Sequence, residues 1–167
     1  SRFLRRLWRR VYEHRDALLA AKGIRCNPGA MSETERDLYR KTHETIQHVT
    51  SDMDKTFHFN AAIAQIMELM NAIDACDVTT DGTDQQKAVY RTAVETLVIL
   101  LSPFAPHIAE ELWQELGHSP SLLQVAWPEP DADLDFVLWS EWEGDKAAFI
   151  ASQSSGSFLD GGSSDGA

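Results

Sequence analysis

The chain has 167 residues and a net charge of −11, and 43% of its residues are hydrophobic. A chain of this size can bury a hydrophobic core without disulfide or metal support. Its cysteines, Cys26 and Cys76, form no Cys-x-x-Cys motif, which predicts reduced thiols. The longest apolar run, residues 97–101, is far shorter than the ~20 residues of a membrane span. Ser1 leads directly into an arginine-rich stretch rather than a secretory signal, so we expect a cytoplasmic protein.

The charge is distributed unevenly along the chain. Residues 1–25 carry eight basic and two acidic side chains, a net charge of +6, which leaves −17 for the remaining residues. The overall negative charge would argue against nucleic acid as a partner. A basic segment beside an acidic body can nevertheless bind an anionic partner on its own.

The first segment, from Arg2 to about Ala21, predicts an amphipathic helix that Gly23 ends. Its apolar stripe, at three- and four-residue steps, comprises Phe3, Leu4, Leu7, Trp8, Val11, Tyr12, Leu18 and Leu19. The other side carries Arg2, Arg5, Arg6, Arg9 and Arg10. Guanidinium groups pair bidentately with phosphate, so these five arginines are the candidate nucleic-acid-binding residues. The alternative is a solvated helix face whose arginines pair with acids elsewhere in this chain. Trp8 and Tyr12 are interleaved with them, but their spacing assigns both rings to the core rather than to base stacking.

Four further helices are predicted along the chain. Ser32-Glu33-Thr34-Glu35 has the form of a capping box and begins a helix that runs to about Met53. The next helix begins near Phe59, one more runs from about Gln85 to Leu101, and the last runs from Pro106 to Gly117. The predicted inward face of the helix at Phe59 comprises Phe59, Ala62, Ile63, Ile66, Met67, Met70 and Ile73.

Five amphipathic helices with almost no strand signal predict an all-α fold, an antiparallel helical bundle over residues 1–130. Residues 131–167 are first acidic and then rich in Ser and Gly, which predicts a poorly structured tail whose role the residues do not indicate.

The sequence offers little for metal or catalytic chemistry. His43 and His48 would point about 140° apart on a helix and could not share a metal. His107 and Glu110 lie one turn apart, but the paired Glu-x-x-His motifs of a di-iron bundle are absent, so we assign both residues to the fold. The chain contains neither a Gly-rich phosphate loop nor a Gly-x-Ser-x-Gly elbow. We therefore expect no catalytic residue, no metal site and no cofactor in this chain.

Several motifs resemble a known family. Residues 2–9, Arg-Phe-Leu-Arg-Arg-Leu-Trp-Arg, resemble the first helix of the C-terminal helical domain of bacterial leucyl-tRNA synthetases. Residues 59–71 are similar to that family's Phe-Asn-x-Ala-Ile-x-x-x-Met-Glu-Leu helix. Residues 101–113, from Leu-Ser-Pro-Phe-Ala-Pro-His to Trp113, resemble a signature that class I synthetases for aliphatic amino acids share. Trp127-Pro128 is similar to the closing Trp-Pro of the domain. The resemblance covers about residues 2–130 and does not extend into residues 131–167.

This resemblance implies an anticodon-binding-type domain of class Ia, taken from a cytoplasmic enzyme that uses ATP and magnesium to join leucine to tRNA-Leu. The family's His-Ile-Gly-His-like and Lys-Met-Ser-Lys-Ser-like catalytic signatures do not occur here, so we expect no ligase activity from this chain alone. For leucine enzymes the family generally does not read the anticodon, which implies backbone and shape contacts. The implied partners are tRNA-Leu and the other domains of the synthetase, with no DNA and no membrane.

Other interpretations stay open at the level of sequence. The same domain could come from a valyl- or isoleucyl-type synthetase, although the 59–71 segment favours leucine. A helical protein-interaction module would use the acidic body or the tryptophans of the tail and would bind without regard to RNA. A metal or cofactor bundle enzyme would contain bound metal, and the absent ligand pairs argue against it.

Overall fold

Six α-helices make up the fold in a computed structural model, which describes residues 1–56 and 58–132. They are α1 (Arg2–Glu13), α2 (Arg15–Ala20), α3 (Glu33–Ser51), α4 (Phe59–Asp74), α5 (Asp84–Leu101) and α6 (Pro106–Glu115). Short 3-10 turns lie at Pro28–Ala30 and Leu122–Gln124, and a π-helical turn, Asp52–Thr56, continues α3. The described residues contain no β-strand, so the predicted all-α bundle is confirmed.

The first predicted helix is divided into two, so six helices stand where the sequence indicated five. His14 leaves helical geometry with φ −109° and ψ 16°, and its ring stacks on Tyr90 of α5 with centroids 5.5 Å apart. Leu18 N donates to His14 O at 2.9 Å, so α2 begins within the same turn. Gly23 follows α2 with φ +85°, the left-handed conformation that favours glycine after a helix.

The capping box at the start of α3 forms as the sequence predicts. Glu35 N donates to Ser32 Oγ at 3.2 Å, and Ser32 N donates back to the Glu35 carboxylate. Two backbone donors that lack partners within the helix are thereby satisfied. This cap fixes the start of the longest helix among the described residues.

α5 lies at the centre of the core, and α3, α4, α6 and α2 all pack against it. Leu97, Val98 and Leu100 are completely buried, as the apolar end of this helix predicts. The prediction for α4 is wrong at two positions, because Phe59 is 49% exposed and Met67 is 43% exposed. Phe59 is the first residue of α4 and its ring meets Phe104 edge-on, whereas Met67 lies at the flank of the buried face.

The segment after α6 returns to α3 and packs along it. Trp127 Nε1 donates to Thr50 Oγ1 at 2.8 Å, and Asp131 N donates to His43 Nδ1 at 2.9 Å. Tyr39, one turn before His43, donates its hydroxyl to the Asp131 carboxylate. Trp127 thus acts in the fold, where it closes the bundle. Apart from its first two residues, Asp131 and Ala132, the predicted tail lies outside the described residues, and the boundary at residue 130 stays a prediction.

Candidate nucleic-acid interface

The candidate interface is α1, whose sequence alternates apolar and arginine pairs. Leu7 and Val11 are buried at 0% and 1% exposure, and they seat the helix on the bundle. α1 packs against α2, α4 and α6. The exposed residues of α1 are Arg2, Arg5, Arg9, Tyr12 and Glu13, so one side of the helix remains for other contacts.

Arg6 and Arg10 face α4 and do not lie on the side away from the bundle as the sequence predicts. Arg6 Nε donates to Asp74 Oδ2 at 3.1 Å, and Arg10 Nε donates to Asp74 Oδ1 at 3.0 Å. Arg6 also reaches Asn71 Oδ1 at 3.0 Å, and Arg10 reaches the Asp74 carbonyl oxygen at 3.1 Å. One carboxylate thus bridges two arginines and ties α1 to the end of α4.

The electrostatics of Asp74 follow from this bridge. Partial burial by itself would raise the pKa of the carboxyl, but hydrogen bonds from Arg6 and Arg10 and their positive charges outweigh it. The pKa of Asp74 is therefore lowered, and the group is ionised at neutral pH. It neutralises one of the two charges that Arg6 and Arg10 bring to the surface.

Arg2, Arg5 and Arg9 form the exposed part of the predicted set. Arg9 makes a weak contact with Glu13, with Nε 3.9 Å from the carboxylate, and its side chain is 70% exposed. Among the side chains that the structure describes, neither Arg2 nor Arg5 makes an ion pair or a side-chain hydrogen bond. The structure thus divides the five predicted arginines into two that anchor α1 and three that face outward.

The assignment of Trp8 and Tyr12 to the core is wrong for Tyr12. The Tyr12 side chain is among the most exposed large apolar groups of the described chain, at 53%, while Trp8 is half-buried. Their ring centroids lie 5.7 Å apart at an interplanar angle of 33°. The buried stripe of α1 is centred on Leu7 and Val11, and Tyr12 lies outside this stripe on the exposed face.

Arg91 is a structural residue that the motifs did not single out. It is 5% exposed on α5 and donates to the carbonyl oxygens of Leu18 and Leu116 at 2.7 Å each. Its Nε lies 2.7 Å from Glu95 Oε1, which His118 Nε2 also contacts at 2.7 Å. A single guanidinium thus satisfies carbonyl groups near the ends of α2 and α6.

Three other residues of the sequence motifs, Glu110, Trp113 and His107, have the following positions in the fold. Glu110 accepts from Leu122 N at 2.7 Å and holds the turn after α6. Trp113 is buried and stacks on His118 with centroids 3.8 Å apart. His107 is exposed.

Within the described ranges no group of three His, Cys, Asp or Glu side chains is placed to hold a metal ion. In the same residues, no helix is both long enough and apolar enough to cross a bilayer.

The sequence carries one physical signal at Asp74, although that signal does not identify the arginines that pair with it. Asp74 is the last residue of α4, and an acid there opposes the negative end of the helix dipole. Such a position is favourable only when cations lie beside it, and in the structure the arginines of α1 supply them. Pairing across 64 residues of chain nevertheless depends on the tertiary fold, which periodicity does not provide.

Comparison with known proteins confirms the resemblance. Residues 35–152 match the family model described as the anticodon-binding domain of tRNA ligase. The leucine--tRNA ligase of Syntrophobacter fumaroxidans is 50% identical over 128 residues, which cover 77% of this chain and 15% of that protein. The leucine--tRNA ligase of Acaryochloris marina is 42% identical over 132 residues, which cover 79% of this chain and 15% of that protein.

A solved structure shows the same relationship in three dimensions. The crystal structure of the ternary complex of Agrobacterium radiobacter K84 agnB2 LeuRS with tRNA and LeuAMS is similar with a TM-score of 0.68 and 34% identity. The similarity covers 79% of this chain and 16% of that chain, and the present chain spans about 15% of the length of the curated relatives. Because the family model covers more than half of its residues, the chain belongs to the anticodon-binding domain family of tRNA ligases.

Proposed function

We propose that this chain is the tRNA-binding helical domain of a leucyl-tRNA synthetase and that α1 contacts the phosphates of tRNA-Leu. The observation that carries the proposal is the position of Arg2, Arg5 and Arg9. All three are exposed on a helix that the Asp74 bridge holds to the bundle. The names of the relatives, leucine--tRNA ligase, and the tRNA complex of the solved neighbour favour this partner.

Charge and geometry support a phosphate partner over an acidic protein surface. Arg5 and Arg9 lie one helical turn apart, so both can reach successive groups of one extended anionic chain. Exposed arginines gain affinity by releasing counterions from a nucleic-acid backbone. The acidic remainder of the chain repels RNA, and binding is thereby confined to the edge of α1.

The proposed mode is recognition of the tRNA backbone and shape rather than of base sequence. Phosphate contacts fix position and register without carrying sequence information. A preference for tRNA-Leu then comes from the shape in which the tRNA presents its phosphates. In the whole enzyme, which would act in the cytoplasm, other domains would carry the catalytic signatures and bind ATP and magnesium. This chain would position the tRNA.

Binding of this chain to tRNA-Leu and to a non-cognate tRNA across a salt series tests the proposal. We expect the logarithm of affinity to fall linearly with the logarithm of salt concentration, with a slope near 0.7–0.9 per phosphate contact. Tighter binding of tRNA-Leu would support shape recognition, and equal binding would reduce the proposal to general RNA affinity. Absence of binding at low salt, or association that ignores RNA, would favour a protein-interaction module instead.

A further inference from the structure

The exposed ring of Tyr12 has no role in the fold described above. Its side chain is 53% exposed, whereas core residues of the same helix are almost completely buried. Trp8 lies one turn earlier and supports it, with ring centroids 5.7 Å apart. The exposed Tyr12 ring beside the half-buried Trp8 ring leaves apolar surface in water that a partner can cover.

The charges beside these rings restrict what that partner is. Arg5 and Arg9 lie seven and three positions before Tyr12, so they share its face of α1. Arg9 is 70% exposed and contacts Glu13 only at 3.9 Å. Flat aromatic rings next to outward-facing guanidinium groups are complementary to a partner that is planar and apolar at one point and anionic at the next. A nucleobase with its own phosphate has both features.

We infer that Tyr12, supported by Trp8, stacks on an unpaired base of the bound RNA while Arg5 and Arg9 contact the adjoining phosphates. The inference rests on the proposed function and deepens it, because it names an unpaired nucleotide as the element that α1 recognises. Bases in a duplex are already stacked on each other, so the rings recognise loops and single-stranded segments. Stacking on an aromatic ring tolerates any base, which agrees with recognition by shape.

The test compares Tyr12→Ala and Tyr12→Phe with the unaltered chain, using tRNA-Leu, a single-stranded RNA and a duplex RNA of equal length. We expect Tyr12→Ala to weaken binding of tRNA-Leu and of the single strand by about 5- to 150-fold, the range for one stacked base. The salt slope stays unchanged because no charge is removed. Tyr12→Phe retains the ring and binds like the unaltered chain. Duplex binding is unaffected by either variant.

Phe59→Ala provides a matched control, since Phe59 is an aromatic residue of similar exposure, 49%, at the opposite end of α4 from Asp74. Phe59 therefore lies ~22 Å from Asp74 along the axis of α4. Circular dichroism and thermal unfolding of each variant confirm that the bundle persists, as expected for exposed positions. The control variant should bind all three RNAs normally.

The outcomes separate this inference from the proposed function. If Tyr12→Ala binds single-stranded RNA and tRNA-Leu normally while Arg5→Ala or Arg9→Ala weakens both, stacking is overturned and the proposed function stands. Equal losses for duplex and single strand also overturn stacking. If the unaltered chain binds no RNA at low salt, the proposed function fails and the inference fails with it.

Discussion

Arg10 donates from Nε to Asp74 Oδ1 at 3.0 Å, and a second guanidinium nitrogen donates to the Asp74 carbonyl oxygen at 3.1 Å. Asp74 ends α4, so this single arginine binds both the side chain and the backbone at a helix terminus. The contact attaches the basic first helix to the acidic body. Arg6 and Arg10 therefore anchor α1, whereas their neighbours Arg5 and Arg9 face outward.

Replacement of Asp74→Asn should destabilise the bundle. The variant removes the charge that Arg6 and Arg10 share and weakens at least two charge-assisted hydrogen bonds. We expect a loss of about 1–3 kcal/mol in the free energy of unfolding. Urea denaturation measures this loss. Glu44→Gln is the control, because the exposed Arg40–Glu44 pair should contribute at most about 0.5 kcal/mol. Equal effects of the two variants would contradict a special role for Asp74.

The contribution of Asp74 should depend on pH with a defined sign. The pKa of its carboxyl is lowered from an ordinary value of 3.8, so its stabilising effect is complete above that value. The effect is lost as the pH falls from about 3.8 through the lower pKa of the folded state. The difference in unfolding free energy between the unaltered chain and Asp74→Asn should therefore be constant near neutral pH and shrink in acid. A difference that persists unchanged well below that range would refute the assignment.

Arg91 should be essential to the packing of α2 and α6 on α5. Replacement of Arg91→Ala removes the guanidinium that donates to the Leu18 and Leu116 carbonyl oxygens and pairs with Glu95. Removing the donor of a buried polar acceptor costs about 1–3 kcal/mol, which is a large part of the stability of a domain this size. Arg40→Ala, at an exposed pair, is the matched control and should change stability by less than about 1 kcal/mol. Thermal unfolding that shows similar transitions for both variants would argue against this role.

The capping box predicts a smaller and more local effect. Ser32→Ala removes the acceptor for Glu35 N and should reduce the free energy of unfolding by about 0.5–2 kcal/mol. Thr34→Ala lies in the same turn, is exposed and lacks a capping role, so it should have little effect. Chemical denaturation of the two variants makes the comparison. A greater loss from Thr34→Ala than from Ser32→Ala would contradict the cap.

Local signals in the sequence predicted most of the fold. The capping box, Pro106 and the apolar period of α5 each act within a few residues, and the helices that they predict, α3, α6 and α5, formed. The errors arose where burial depends on neighbours distant in sequence. Periodicity could not show that Tyr12 lies beyond the edge of the buried stripe.

The candidate site was predicted only in part for the same reason. The sequence identified α1 and its arginines, but the division between anchoring and outward-facing side chains depends on Asp74, more than 60 residues away. The sequence does not identify Arg91, because a single arginine within an apolar helix is expected to be exposed rather than buried. Its partners are backbone carbonyl groups, which leave no mark in the sequence.

The central claim is that the outward-facing arginines of α1 bind RNA, and one comparison tests it most directly. Binding of tRNA-Leu is measured over a salt series for the unaltered chain, for Arg5→Ala/Arg9→Ala and for Arg25→Ala/Arg40→Ala. The second pair removes the same charge from exposed positions outside α1.

We predict that Arg5→Ala/Arg9→Ala weakens binding and lowers the salt slope by about 1.4–1.8, or 0.7–0.9 for each lost phosphate contact. Arg25→Ala/Arg40→Ala should leave the slope essentially unchanged. Equal slopes for all three proteins, or equal losses in the two double variants, would contradict the assignment of the RNA-binding surface to α1.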